Sequence, residues 1–424
     1  MRVLLIGATG LIGSAVAARL PGEGHEVVPV SRRPMDRPGA IILDMARATA
    51  PEVWLPHLRG IDAVVNCAGV LQDGPRENTR AVHAAGAAAL FEACERAGVR
   101  RVIHFSAIGV DRAQPSAFSA SKLAGDEALM ARDLDWVILR PSVVLGRSVF
   151  GASALMRGLA ALPVLPSMPE TEKLQVVRLE DVVETVLFFL DPRAPSRLSL
   201  ELAGPQALGM DEIVGQYRRW LGWKPARRYQ LPPWLARLLY KAGDIAAALG
   251  WRPPVRTNAA REMTRGAMGD PAPWSEITGI TPRPLAAALA AEPAGVQEKW
   301  FAGLYVLKPV IFVVLAAFWL ATAIISVTIG YELGVELMVV AGAGALAGPA
   351  VIAGALADLV IGLLIAWRRT TRLGLWGALA LSGFYIVAGS ILRPDLWAEP
   401  LGPFLKIFPI VVLHLVALAV LEER

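Results

Sequence analysis

Short apolar runs alternate with helix-length segments through the first half of the chain, and long apolar runs fill its last third. The short runs lie at residues 1–6, 26–30, 40–43, 63–66, 102–105 and 136–139, and a further strand pattern follows at 198–202. Such alternation is typical of a parallel sheet with crossover helices on both faces. It predicts a doubly wound α/β domain in the first half of the chain.

The first apolar run ends in three glycines spaced three residues apart, Gly7, Gly10 and Gly13. In a strand–turn–helix unit the first glycine allows a tight turn, the second lets a pyrophosphate approach the backbone, and the third lets the helix pack on the sheet. The helical stretch that follows, residues 11–20, would direct its N-terminal amides at the phosphates. We therefore predict a dinucleotide-binding turn rather than an ordinary glycine-rich turn.

The second strand is followed by Ser31, Arg32 and Arg33. A chain that prefers NAD usually carries an acid at this place to hold the ribose 2′-hydroxyl. Guanidinium groups instead present forked donors that match phosphate oxygens. The sequence favours NADP(H) as the cofactor, with NAD(H) as an alternative if the two arginines form only a solvated basic turn.

Ordered motifs over residues 1–215 resemble the extended and atypical short-chain dehydrogenase/reductase family, a Rossmann-like fold with a small substrate-lobe extension. They lie at residues 7–13, 43–44, 66–70, 86, 105–107, 122 and 140–146. The resemblance implies that Asp44 meets the adenine ring and that Lys122 binds the nicotinamide ribose. It also implies that Ala68 and Gly69 line the cofactor cleft and that Pro141, Ser142 and Val143 pass beside the nicotinamide. The two turns described above supply the other predicted cofactor contacts, at Gly7, Thr9, Gly10, Leu11, Ile12, Gly13, Ser31, Arg32 and Arg33. Asp44 and Pro141 could instead be a surface acid and a strand-terminating proline.

The catalytic pattern of that family is broken. Its enzymes place a tyrosine four residues before the lysine, whose ammonium lowers the pKa of the phenol so that it can transfer a proton. Here that position holds Phe118. Lys122, and Ser106 near the family's serine, are the remaining catalytic candidates.

Two functions stay open on this evidence. The first is a membrane-anchored oxidoreductase whose hydrophobic or quinone-like acceptor takes its protons from solvent. The second is a catalytically inactive assembly or sensor subunit of a membrane complex, because the domain also resembles the nucleotide-binding accessory subunit of respiratory complex I. A sugar-nucleotide epimerase is disfavoured, since it too needs the missing phenol.

The composition separates a soluble part from a membrane part. Of the 424 residues, 54% are hydrophobic and only 19% are charged. This composition fits a soluble domain joined to a membrane domain. The net charge of +5 gives no reason to expect nucleic acid as a partner. Cys67 and Cys94 have no metal-ligand spacing and suggest a reducing compartment, so no metal site is predicted.

The middle of the chain, residues 216–300, is both basic and aromatic. Tryptophan favours the lipid headgroup layer, and lysine and arginine attract anionic lipid. We predict an extension that docks on the bilayer, with a solvated helical face as the alternative. It would separate a nucleotide domain at 1–215 from a membrane domain at 301–424.

Four runs in the last third are long enough to be membrane spans, at 306–329, 351–367, 373–391 and 404–421. Arginines 368, 369 and 372 between the second and third spans place that loop in the cytoplasm. No signal peptide precedes the first strand, so the nucleotide domain is expected on the same side of an inner (cytoplasmic) membrane. The apolar stretch 333–348 contains Glu336 and is interpreted as a partial or re-entrant helix.

Asp358 lies within the second predicted span and requires a partner such as His414, Lys406 or an interfacial arginine. Such a pair could handle protons or a quinone headgroup, or could simply lock two helices together. The pattern over residues 300–424 resembles DoxX-like membrane proteins. That resemblance lends quinone chemistry to the protein by analogy only.

Overall fold

The computed structural model describes residues 1–71, 73, 78–112, 116–168 and 171–422. The chain forms two compact units. The nucleotide unit comprises Met1–Asp244 and Pro254–Lys299, and the membrane unit comprises Ile245–Pro253 and Trp300–Arg424. The three-part division at 215 and 300 stays a prediction.

A seven-stranded parallel sheet forms the centre of the nucleotide unit, in the order β10-β6-β5-β4-β1-β2-β3. Its strands are β1 (Arg2–Ile6), β2 (Glu26–Ser31), β3 (Ile41–Ile42), β4 (Ala63–Asn66), β5 (Arg101–Phe105), β6 (Asp135–Pro141) and β10 (Leu198–Leu202). The strand order reverses at β1, which lies between β2 and β4. The carboxyl end of β1 is therefore the switch point at which doubly wound sheets bind ligands.

Helices cover both faces of this sheet and continue into the rest of the nucleotide unit. They are α1 (Leu11–Arg19), α2 (Pro51–Trp54), α3 (Ala87–Ala97), α4 (Ala117–Met130), α5 (Gly151–Ala160), α6 (Leu179–Leu190), α7 (Met210–Trp220), α8 (Pro233–Ala248), α9 (Thr257–Arg265), α10 (Ala272–Thr278) and α11 (Leu285–Ala291). Strand β1 contributes Leu4 to one apolar cluster and Leu5 to the other. Burial on both faces explains why its sequence is continuously apolar rather than alternating.

Two small sheets complete the nucleotide unit. One has the order β11-β9-β7, and the other pairs β12 with β8. Their strands are β7 (Val143–Leu145), β8 (Val164–Ser167), β9 (Leu174–Arg178), β11 (Ala207–Leu208) and β12 (Arg227–Gln230). Together with α5 and α7 they form the small lobe that the sequence predicts beside the main sheet.

The membrane unit is helical. Its helices are α12 (Val296–Val327), α13 (Tyr331–Val340), α14 (Ala347–Ala366), α15 (Thr371–Leu392) and α16 (Ile407–Val420). Within the described chain three helical segments are long and apolar enough to cross a bilayer: Val296–Val327, Gly344–Ala366 and Thr371–Leu392.

The fourth predicted span is shorter than expected. Helix α16 has 14 residues, about 21 Å at 1.5 Å per residue, whereas the hydrocarbon core is about 30 Å thick. It begins late because Gly402 has a φ of +55° and Pro403 has no N–H to donate, so the residues before it form turns. Helix α13, with ten residues, is also too short to cross. The number of crossings stays a prediction.

Asp358 and His414 do not pair with each other, which corrects one expectation from the sequence. The Tyr385 hydroxyl on α15 donates to Asp358 Oδ1 at 3.5 Å. The His414 ring accepts from Trp319 Nε1 at 3.0 Å and lies 2.7 Å from the Ile410 oxygen. Because both ring nitrogens have partners, His414 fits a neutral imidazole that ties α16 to α12.

Candidate functional site

The glycine turn after β1 has the geometry of a phosphate cradle. Gly7 has a φ of +78°, and a Cβ there would lie 2.8 Å from the carbonyl carbon of Cys67. A Cβ at Gly13 would lie 2.2 Å from the oxygen of Gly7. Neither position accepts a side chain without a shift of backbone, because Gly7 packs against the backbone of Cys67 and Ala68 and the first turn of α1 packs on the loop before it.

The surroundings of Gly10 are different. A Cβ built at Gly10 would lie 3.3 Å from the Gly7 oxygen. Chain neighbours aside, no other described atom lies within 4 Å of it. The remaining space is open at the N-terminus of α1, where backbone N–H groups and the helix dipole favour an anion. Thr9 is exposed beside it, and Leu11 and Ile12 are half-buried in the first turn of the helix. These residues fit a dinucleotide pyrophosphate.

Ser31 lies at the end of β2, and its side chain organises the basic turn. Its hydroxyl donates to the Arg33 carbonyl oxygen, and the Arg33 N–H donates back to the hydroxyl at 3.3 Å. Ser31 is buried, whereas Arg32 and Arg33 are exposed. The serine therefore shapes the turn, and the two guanidinium groups are the parts that can reach a ligand.

Asp44 has a structural role of its own. Its Oδ1 accepts from the Ala46 N–H at 3.1 Å, and its backbone oxygen accepts from Arg47 and Ala48. This is an aspartate that starts a turn with its own side chain. The half-buried carboxylate could contact an adenine only with its second oxygen, which lies 4.0 Å from Arg47.

Lys122 extends from α4 to the carboxyl ends of β4 and β5. Its Nζ donates to the Phe105 oxygen at 2.7 Å and to the Ala68 oxygen at 3.4 Å. A Cβ at Gly69 would lie 3.5 Å from this Nζ. Burial lowers the pKa of Lys122 to about 8, although Asp126 opposes the shift. The structure thus brings Ala68, Gly69 and Lys122 together at the sheet edge that carries the glycine turn.

Ser106 is not free to transfer a proton to a substrate. Its hydroxyl donates to Asp126 Oδ2 at 2.9 Å, and Arg140 Nη2 donates to the same oxygen at 3.0 Å. Asp126 is fully buried, and its Oδ1 lies 3.6 Å from His104 Nε2. Burial raises the pKa of Asp126, against the hydrogen bond from Ser106 and the charge of Arg140. Ser106 therefore belongs to a buried polar network that supports the sheet.

This network was not identified from the sequence. His104 also accepts a hydrogen bond from the Asn66 amide at 3.1 Å, and Asn66 Oδ1 accepts from the Ala68 N–H. The chain of contacts links β4, β5, β6 and α4. Its one sequence signal is polar residues inside strands that are otherwise apolar, at Asn66, His104 and Arg140.

His83 is a second functional candidate that the sequence did not single out. Its Nε2 accepts from the Val70 N–H at 3.0 Å, so its Nδ1 carries the proton and donates to the Ser121 hydroxyl at 2.9 Å. Burial and the neighbouring Lys122 charge lower its pKa to about 2. His83 is therefore a neutral ring beside Gly69 and Lys122.

The last residue of helix α9, Arg265, contacts residues near Phe118. Arg265 donates to the Ser119 hydroxyl and to the Gly109 oxygen. Phe118 itself lies edge-on to His83 with ring centroids 5.5 Å apart. Phe118, at the position of the missing phenol, therefore has the His83 imidazole beside its ring, and Arg265 binds the neighbouring Ser119.

Ser142 fixes the chain that follows β6. Its hydroxyl approaches the oxygens of Gln175 and Ala267, the latter at 2.9 Å. Pro141 is buried, and Val143 begins β7. This loop lies at the same carboxyl edge of the sheet as the glycine turn, because all strands of the main sheet are parallel. Asp44 follows β3, the edge strand on the opposite side of β1 from β6.

Two family models match the chain in separate places. One, described as NAD(P)H-binding, matches residues 7–149, which include the glycine turn and Lys122. The other, described as the DoxX-like family, matches residues 316–415. The protein joins an NAD(P)-binding Rossmann domain to a DoxX-like domain. The DoxX-like domain and the three helices of spanning length identify it as membrane-associated.

Curated relatives match a little over half of the chain. An uncharacterized protein of Mycobacterium tuberculosis (strain ATCC 25618 / H37Rv) is 30% identical over 223 residues, 52% of this chain and 23% of its own length. The chain thus spans about a quarter of that relative. A ceramide reductase of Caulobacter vibrioides is 27% identical over 54% of this chain and 73% of its own. The photosystem II assembly factor Ycf39 of Synechocystis is 25% identical over 56% and 73%.

Solved structures share the fold of the NAD(P)-binding domain. The structure of MoeE5 in complex with UDP-glucuronic acid and NAD superposes with a TM-score of 0.52 at 22% identity, covering 68% of this chain and 97% of MoeE5. At this identity the likeness establishes the fold alone. The domain has the fold of the short-chain dehydrogenase/reductase-like oxidoreductases.

Proposed function

We propose that the protein is a membrane-anchored NADP(H)-dependent oxidoreductase that reduces a hydrophobic or quinone-like acceptor. The observation that carries this proposal is the pairing of a retained Lys122 with Phe118 at the place of the catalytic phenol. A site that keeps the lysine but has no phenolic proton suits an acceptor that needs no protein acid.

The cofactor preference rests on the turn after β2. Arg32 and Arg33 are exposed on a turn that the buried Ser31 holds in shape, and we propose that both guanidinium groups bind the 2′-phosphate. We propose that Gly7, Thr9, Gly10, Leu11, Ile12 and Gly13 bind the pyrophosphate. Ala68, Gly69, Pro141, Ser142 and Val143 would border the nicotinamide half, and Asp44 would approach the adenine with its second oxygen.

Lys122 has the central position in this proposal. Held by the Phe105 and Ala68 oxygens, its ammonium would donate its remaining hydrogen to the nicotinamide ribose and so fix the ring above the sheet edge. Ser106 would act as a positioning residue, because its proton is committed to Asp126. A bound reduced nicotinamide supplies a hydride, and the acceptor takes its balancing proton from water.

A hydrophobic acceptor fits the attachment of this domain to a membrane. A quinone accepts two electrons and becomes a stable quinol once solvent protons are added, so it does not require Phe118 to be a phenol. The name of the Caulobacter relative, ceramide reductase, is a further reason to expect a lipid substrate. We propose that the acceptor reaches the site from the bilayer.

The orientation in the membrane is part of the same proposal. The arginines 368, 369 and 372 follow α14, and the charge rule assigns their loop to the cytoplasm of an inner membrane. NADP(H) is available on that side. We further propose that the basic, tryptophan-rich residues 216–300 rest on the headgroups beside the nucleotide domain.

The test is turnover by the full-length protein in nanodiscs. NADPH oxidation is followed at its absorbance band with decylubiquinone and with ceramide-type ketones as acceptors. We expect oxidation that depends on acceptor and is abolished by Gly10→Ala, whereas Gly22→Ala, a change with no described atom near the new Cβ, leaves it intact. Absence of turnover with every acceptor, in protein that binds NADPH, would overturn the enzymatic proposal.

That same outcome would support the second candidate, an inactive nucleotide-binding assembly or sensor subunit. Specific observations favour it: the Phe118 side chain has no acidic proton, the Ser106 hydroxyl donates to Asp126, and Arg265 binds Ser119 next to Phe118. The relative Ycf39 is itself named an assembly factor. In this case NADPH would raise the melting temperature of the protein and its recovery with membrane partners, and would not be consumed.

A further inference from the structure

A second cavity lies in the nucleotide unit, away from the glycine turn and Lys122. It has a volume of about 200 Å³ and lies between β7, β9, α5, α7 and α11. Pockets for drug-sized ligands usually measure about 300–1,000 Å³, so this one suits a smaller molecule. None of the residues proposed to hold the cofactor lines it.

Arg157 on α5 is the unusual residue of this cavity. It is only 5% exposed, and its guanidinium stacks on the rings of Tyr217 and Trp220 at 5.5 and 5.1 Å from their centroids. Its Nη2 donates to the Gly146 oxygen at 2.6 Å, while its Nε has no hydrogen-bond partner among the residues that the structure describes. A buried guanidinium group with an unused donor is costly unless a partner completes it.

The carboxylates around the cavity are already engaged. Glu180 and Glu292 both face Arg178, with N–O distances of 3.4 and 3.7 Å. Glu298 accepts from the Gly295 N–H at 2.8 Å. Across the described residues no carboxylate forms an ion pair with Arg157. Four arginines and three glutamates line the cavity, so its wall carries one net positive charge.

The wall also has an apolar part. Leu145 and Val177 are buried side chains of the small sheet, and Leu289 of α11 lies opposite them. We propose that this cavity binds a small amphiphilic carboxylate, with its head on Arg157 and its short apolar tail against Leu145, Val177 and Leu289. One net positive charge on the lining matches a monoanion, and the planar guanidinium of Arg157 matches the planar carboxylate.

Calorimetry on the full-length protein in phosphatidylcholine nanodiscs tests this inference, with octanoate as the probe. The comparison ligands are octanol, which lacks the charge, and inorganic phosphate, which lacks the apolar tail. Titration into empty nanodiscs corrects for partition of octanoate and octanol into the lipid. We expect octanoate to bind at least tenfold more tightly than either. Equal binding of octanol, or tighter binding of phosphate, would overturn the proposal, as would no binding of octanoate.

Two variants probe the two ends of the ligand. Arg157→Gln removes the charge, and Leu289→Trp fills the apolar end of the cavity without changing Arg157. Each variant is expected to lower the affinity for octanoate at least tenfold. Arg193→Gln, at an exposed arginine that pairs with Asp191, should leave binding unchanged. If Arg157→Gln fails to fold, Leu289→Trp decides alone, and unchanged octanoate binding in it refutes the site. NADPH affinity should be the same in all folded variants, which separates this site from the proposed cofactor site.

Discussion

Lys122 Nζ donates a hydrogen bond to the backbone oxygen of Phe105 at 2.7 Å, and the lysine is buried, with 4% of its surface exposed. Burial lowers the pKa of this ammonium to about 8. A lysine with a lowered pKa loses its proton as the pH rises through that value, so the charged form is present mainly below about pH 8.

The first prediction concerns the pH dependence of cofactor binding. If the Lys122 ammonium holds the nicotinamide ribose, NADPH affinity should fall between about pH 7.5 and pH 9.5, by up to about tenfold. Fluorescence titration of NADPH across that range measures it. Lys122→Arg, which stays charged, should bind more weakly yet show a flat profile. A flat profile in the unmodified protein would contradict the role given to Lys122.

The second prediction concerns the choice between NADPH and NADH. Replacing Arg33, or Arg32, by alanine should weaken NADPH binding by about 1.5–3 kcal/mol, the usual value of a hydrogen bond to a charged group, or roughly tenfold to more than a hundredfold. NADH affinity should change less than about twofold. Arg37→Ala, an exposed arginine farther along the same loop, serves as the control. Equal losses for both coenzymes would argue against a 2′-phosphate contact.

The third prediction concerns Gly10. Among the described residues a methyl group there meets only the Gly7 oxygen, at 3.3 Å, so Gly10→Ala should change the free energy of unfolding by about 1 kcal/mol or less. It should nevertheless lower the affinity for both NADPH and NADH at least tenfold, because the methyl group occupies the space in which the pyrophosphate approaches the backbone. Thermal unfolding and coenzyme titration together separate the two effects. Unimpaired binding would place the pyrophosphate elsewhere.

The fourth prediction concerns Phe118. Phe118→Tyr adds a phenol one helical turn before Lys122 and next to the His83 ring. If the natural acceptor takes its protons from water, quinone reduction should stay within about twofold of the unmodified rate, since the added acid serves no step in that reaction. Aldehyde reduction should appear or increase. A rise of quinone turnover by tenfold or more would mean that proton delivery limits the natural reaction.

The fifth prediction concerns the membrane unit. His414→Phe leaves the Trp319 indole N–H without its acceptor, and such interhelical hydrogen bonds in membranes are worth about 0.6–2 kcal/mol. Unfolding by sodium dodecyl sulfate in bicelles should detect a loss of this size. The double change with Trp319→Phe should recover part of it, because no donor is then left unpaired. NADPH binding should not respond to either variant.

Much of the fold follows from local pattern. The apolar run at 63–66 is found as β4, and the run at 198–202 as β10. Gly7 has the positive φ that a tight turn requires, and Gly13 has no room for a side chain. These features depend on residues close together in sequence, so periodicity and glycine spacing are enough to predict them.

Other features depended on contacts between distant residues. Ser106 was selected by its place after a strand, but its hydroxyl is bound by Asp126, 20 residues farther along the chain. Arg265 lies 146 residues from the Ser119 that it contacts. The partner of Asp358 is Tyr385 rather than His414, and a proline and a glycine shortened the last apolar helix.

The sequence by itself determined an NAD(P)-binding α/β domain followed by apolar membrane helices. Both can be predicted from the spacing of apolar residues and glycines, which repeats every two to four residues, and from the lengths of the apolar runs. Only the tertiary structure decided which polar groups are already satisfied and which are not. Hydrogen-bond partners in a parallel sheet come from strands and helices that are far apart in sequence, so the engaged hydroxyl of Ser106 and the buried guanidinium of Arg157 appear only once the chain is folded.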